Sequence, residues 1–114
     1  MDKTMSTNKR TIRGEQYNIE QLVDEAIATV DAGTLDTAAA DAYLRRMGHT
    51  SPSEELVSTV ARDTAILNLM TRKTGASFNG QLGKISFVNR DKAIEQSNAY
   101  LNRRNAGHRS RWGK

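Results

Sequence analysis

Few groups in this chain are able to do covalent chemistry. There are two histidines, His49 and His108, and no cysteine. His49 stands two positions before Ser51. An imidazole beside a hydroxyl makes a nucleophile when a third group orients the ring. No carboxylate in the sequence is identifiable for that third role. Ser51 also has a competing use. Pro52 and Glu54 follow it, and Ser, Pro, then a glutamate at the third helical position is a helix-start signature. The expectation is a capping Ser51 and a loop His49. Asp24 and Glu25, like Glu54 and Glu55, are sequence neighbours. On a helix they point about 100° apart, which is poor geometry for a shared acid–base task.

Metal and phosphate chemistry fare no better. The histidines are too far apart for a clustered ligand set, and no HxH, HxxxH or HExxH string occurs, so no metal site and no cofactor is expected. Asp31, Asp36 and Asp41 recur every five residues, which is not the ligand spacing of a calcium loop. Gly75 and Gly80 have the spacing that opens a phosphate loop, but the lysine comes late, at Lys84, and Ile85 follows it where Ser or Thr belongs. Gly80, Gln81, Leu82 and Gly83 spell the GXXG string of KH domains. The sheet that such a domain needs has no counterpart in the pattern, so the stretch is read as a connector. The expectation is a chain that is not an enzyme.

The strongest binding signal is C-terminal. Arg103, Arg104, Arg109, Arg111 and Lys114 lie close together with Trp112 among them. Arginine forks match phosphates, and an indole can stack on a base. These six residues are the candidate contacts to nucleic acid or to an acidic partner surface.

Net charge is +4 over 114 residues, but it is unevenly laid out. Residues 1–14 carry +3, residues 15–60 carry −7 and residues 61–114 carry +8. Such blocks give either an anion-seeking surface or halves that attract each other within the fold. The polar, basic start has no apolar core of a signal peptide, and no apolar run approaches the roughly 20 residues of a membrane span. A cytoplasmic or virion-associated setting, away from membrane, is expected.

The elements that must carry these residues follow from periodicity. Asn18 with Gln21 opens a first helix, with Ile19, Leu22, Val23, Ala26, Ile27 and Val30 on one face and Gly33 at its end. A second helix over 35–47 starts at Thr34 or Asp36, with Leu35, Ala39, Ala42, Tyr43 and Met47 as its stripe. The short link at Gly33 predicts antiparallel neighbours. The third helix, 52–72, is the longest and the central one. Asn79 with Gly80 makes the glycine-rich stretch a loop or short hairpin. Asn89 caps a last helix over 90–105, ended by Gly107.

The expected fold is therefore mainly α. It is a small four-helix domain over 18–105, with a flexible basic arm over 1–17 and a basic tail over 106–114. Ile19, Leu22, Ile27, Val60 and Leu67 are expected in its core. The function class expected is a non-catalytic binding or accessory protein whose basic ends engage nucleic acid or an acidic partner. The alternative is a structural subunit or adaptor, homo- or hetero-oligomeric, of a larger assembly such as a phage particle.

Overall fold

A computed structural model describes the backbone of residues 9–112 and the side chains of residues 9–105. Strands β1 (Lys9–Ile12) and β2 (Glu15–Asn18) form an antiparallel hairpin, with Lys9 opposite Asn18 and Ile12 opposite Glu15. Helices α1 (Ile19–Asp31), α2 (Thr37–Arg46), α3 (Glu54–Thr74) and α4 (Arg90–Trp112) follow, and a 3-10 turn, Phe78–Gln81, lies between α3 and α4. The domain is mainly helical with four helices, as the periodicity predicts.

The hairpin corrects the reading of residues 9–17 as a flexible arm. Arg13 and Gly14 form its two-residue loop, both with positive φ, 52° and 87°. That pairing belongs to the tight turn whose twist suits a hairpin. Ile12 is fully buried, and the Tyr17 hydroxyl donates to the Lys73 carbonyl, so the hairpin is fastened to the end of α3. With Ile12 as its one aliphatic side chain, the stretch offers almost no alternation to read.

α3 is central. α1 and α2 both pack on it, and α4 lies on α1. One core joins Ile12, Ile19, Leu22, Val23 and Ala26 to Ile66, Leu67 and Met70, and to Phe78, Ile85, Phe87, Ala93 and Leu101. Ile27 and Val60, expected inside, are half-buried. α2 differs more. Its buried residues are Ala40 and Leu44, while Ala39, Ala42 and Met47 are exposed. An alanine-rich helix has no strong stripe, so its single interior leucine decides which face turns inward. α1 and α2 share no substantial interface, each lying on α3 instead.

Between α3 and α4 the chain runs back along α3. Thr71 Oγ1 accepts from the Asn79 N–H at 2.7 Å, and Thr74 Oγ1 accepts from the Ala76 N–H at 3.2 Å. Phe78 is buried and meets Tyr100 edge-on, ring centres 5.2 Å apart. Asn79 and Gly80 thus lie in the 3-10 turn and not in a hairpin. Leu82 (φ −59°, ψ 130°) and Gly83 (φ 91°) then make a type II turn, closed by the Lys84 N–H donating to the Gln81 carbonyl at 2.8 Å. Residues 85–89 form no strand: they carry a single bridge, Leu82 to Ile85, and bend over 87–89.

The helix starts are capped by Asn18, Asp36, Ser53 and Asn89. Ser53 replaces the expected Ser51: its Oγ accepts from the Leu56 N–H at 3.1 Å, and Pro52 precedes the helix. Ser53→Ala is expected to lower stability by about 1 kcal/mol, and Ser51→Ala to leave the denaturation midpoint unchanged. At the other end of α3, Gly75 has φ 82°, and a Cβ there would fall 2.5 Å from the Arg13 Cδ. Gly75→Ala is therefore expected to cost more than the ~1–2 kcal/mol of a left-handed residue. Adding Arg13→Gly should recover the excess, a non-additivity that a double-mutant cycle in urea measures.

Candidate functional site

The charge blocks meet in part within the molecule. Glu20, Asp24 and Asp31 recur at spacings of four and seven along α1, which places them on one line. Arg90 at the start of α4 reaches two of them. Its Nη2 donates to Glu20 at 2.5 Å, and its Nε and Nη2 donate to the two Asp24 oxygens at 2.7 and 2.9 Å. Arg62 from α3 donates to both Asp31 oxygens at 2.9 and 3.2 Å, and Lys73 lies 3.5 Å from Glu25. The Arg90 hydrogen bond holds Asp24 below its ordinary value of 3.8, and the Arg62 hydrogen bond does the same for Asp31.

Arg62 has a second task. Its Nη1 donates to the Phe87 carbonyl at 2.9 Å, while the next residue, Asp63, accepts from the Phe87 N–H at 3.0 Å. Asp63 is buried, and loss of solvation raises its pKa above 3.8; the Phe87 N–H and Arg62 oppose that rise.

Among the described residues, Lys9, Arg13, Arg46, Arg72, Lys84 and Lys92 lack an ion-pair partner, but the far end of α4 is where basic residues cluster in sequence. Arg103 is exposed and Arg104 half-buried, and neither has an ion-pair partner among the described residues. α4 continues past its expected stop at Gly107 to Trp112, so residues 106–112, expected to be tail, are helix. Arg109, Arg111 and Trp112 belong to this helix, and their side chains lie outside the described residues, as does Lys114 altogether.

Beside Arg103 is a shallow cleft of about 430 Å³, lined by Gln81, Lys84, Ile85, Gln96, Ala99 and Arg103. Gln96, Ala99 and Arg103 form one helical stripe of α4, and the type II turn supplies the opposite wall. Lys84 is thus a functional candidate that the sequence brings up only as a misplaced phosphate-loop lysine. Its closeness to Arg103 comes from the return path along α3, which no periodicity announces.

The other candidates do not assemble. His49 and Ser51 are exposed, and no hydrogen bond joins the His49 ring to a carboxylate among the described residues. No group of three or more His, Asp or Glu able to hold a metal occurs among the described residues, and no helix there is long and apolar enough to cross a membrane. A groove of about 370 Å³ between α2 and α3 is lined mainly by Ala39, Ala40, Tyr43, Ala61 and Ala65, with Asp36 and Arg46 also on its wall. No family model, curated protein or solved structure matches the chain.

The ion pairs generate a pH expectation. Asp24 and Asp31 titrate lower in the folded state than in the unfolded one, so their contribution is present above pH 3.8 and lost as pH falls through their folded values. Asp63 runs the other way: its raised pKa makes stability fall as pH rises from 3.8 through its folded value. The double variant Asp24→Asn with Asp31→Asn should be less stable at pH 7 and should show a flatter acid limb when the urea midpoint is followed from pH 7 to pH 2.

Proposed function

We propose that this chain is a non-catalytic binding protein that holds nucleic-acid backbone through the basic end of α4. The observation that carries the reading is the clustering of basic residues at the end of α4, away from the acids of α1. Arg62, Lys73 and Arg90 are engaged by the acids of α1, whereas Arg103 and Arg104 have no such partner among the described residues and stand where the sequence adds Arg109, Arg111 and Lys114. A protein partner is the weaker alternative, because residues 102–114 contain no Leu, Ile, Val, Phe or Met, and protein interfaces are anchored by buried apolar and aromatic groups. An apolar-poor, arginine-rich helix suits phosphates, whose recognition is mainly electrostatic. Trp112 adds one stacking surface for a base. Membership of a larger assembly, such as a nucleic-acid-filled particle, is compatible with this role.

The test is binding of the full-length protein to DNA and RNA across a salt series. Arg103→Gln with Arg104→Gln should make the log–log slope shallower by about two units on a duplex if both residues contact phosphates. Deleting residues 107–114 removes Arg109, Arg111, Trp112 and Lys114; folding should survive and the slope should drop by roughly two to three units. Trp112→Ala should weaken single-strand binding by about 1–3 kcal/mol with little change of slope. Absence of binding to either nucleic acid at low salt overturns the reading.

A further inference from the structure

The geometry points to the cleft between the type II turn and α4 as a subsite for one nucleotide of a single strand, its phosphate held between Lys84 and Arg103. The inference rests on the nucleic-acid reading of α4 and extends it from a charged helix to a concave site with a defined occupant.

Three features of the cleft select that ligand. Two cations from different elements, Lys84 from the turn and Arg103 from α4, line the same cleft, and neither has an ion-pair partner among the described residues. A pair of cations lining one concavity favours an anion that presents oxygens on more than one side, as a phosphodiester does. Next, the remaining polar lining is two carboxamides. Gln96 uses its Oε1 to accept from the Ser86 N–H at 3.0 Å, which fixes that side chain and leaves its Nε2 to donate. Gln81 Oε1 is buried with no hydrogen-bond partner among the described residues. A buried acceptor left unpaired is costly, and a carboxamide that turns toward an occupant of the cleft gains a partner. An occupant that offers both anionic oxygens and hydrogen-bonding edges satisfies the cations and the amides together. A nucleotide has both, whereas inorganic phosphate has no second edge to offer.

The third feature is shape. About 430 Å³ between a turn and one helix face, with Ile85 and Ala99 as its apolar part, is space of the scale of a small ligand. A base must be unstacked and unpaired to enter such a concavity, which is the condition of a single strand.

The experiment is a two-dimensional amide and side-chain carboxamide NMR titration of the full-length chain. The probes are a short oligothymidylate, a DNA hairpin duplex of equal phosphate count, and an oligoglutamate of equal charge. The expected result is that oligothymidylate moves the signals of Gln81, Lys84, Gln96 and Arg103, and moves them more than the duplex or the oligoglutamate does. Lys84→Gln should abolish the shifts at Gln81 and Gln96 and make the salt slope for single strands shallower by about 0.7. Arg109→Gln with Arg111→Gln should weaken overall binding while the shifts at Gln81 and Gln96 persist at saturation. Shifts confined to residues beyond Asn102, with Gln81 and Gln96 unmoved, overturn the subsite and leave the basic-helix reading standing. Equal shifts from oligoglutamate overturn the assignment to a nucleotide. No response to any nucleic acid overturns the subsite and the basic-helix reading together.

Discussion

The fold depends on how Phe87 is held. Its carbonyl accepts from Arg62 and its N–H donates to Asp63, so two consecutive residues of α3 grip both polar sides of one peptide segment. This is the pairing a neighbouring strand would supply, made here by side chains of a helix. It is needed because the chain leaves α3 at Thr74 and must return about 16 Å, eleven helical residues at ~1.5 Å each, before α4 can begin beside α1. The return segment buries Ala76, Phe78, Ile85 and Phe87. Its backbone polar groups cannot all face water, so α3 provides partners through Thr71, Thr74, Arg62 and Asp63. Burying the Asp63 carboxyl is the cost of that arrangement, visible in its raised pKa.

Arg62 links this clamp to the charge pattern. One guanidinium joins α3, the return segment and the acidic line of α1. Three residues past Phe87, Arg90 joins the same line at Glu20 and Asp24. The acids of α1 and part of the basic block are thus structural complements. Surface ion pairs of this kind are screened by solvent and are weak sources of stability. Their clearer effect is on register, since like charges facing each other across the α1–α4 seam would disfavour the packing.

What the sequence makes legible is what periodicity and caps encode. α1, its Asn18 cap and its inward face follow directly from six apolar residues at helical spacing. The length and central place of α3 follow in the same way. The errors have physical causes. At α3 two serines flank Pro52, and the one that caps is the one whose hydroxyl lies three residues before a free helical N–H, Ser53 before Leu56. The 52–54 signature is ambiguous by two positions. In α2, alanines make every face look usable, and only Leu44 breaks the tie. The hairpin escapes because Arg13 adopts a left-handed conformation that its residue type does not advertise. The stop at Gly107 fails because a glycine costs a helix about 1 kcal/mol without forbidding it.

The candidate site divides along the same line. Arg103 and Arg104 are legible because their clustering is local in sequence. Lys84 is not, because its role depends on a tertiary path set by the Phe87 clamp and the Gly83 turn. That dependence gives the two groups of cations different consequences. Removing a cation at the α1 seam acts on folding, since the acid it faces loses its hydrogen bonds. Removing one at the end of α4 leaves no described partner behind and costs the fold little. Arg62, Lys73 and Arg90 therefore serve the packing of α1, while Arg103 and Arg104, clustered with the basic residues that follow them in sequence, are where binding should be sought.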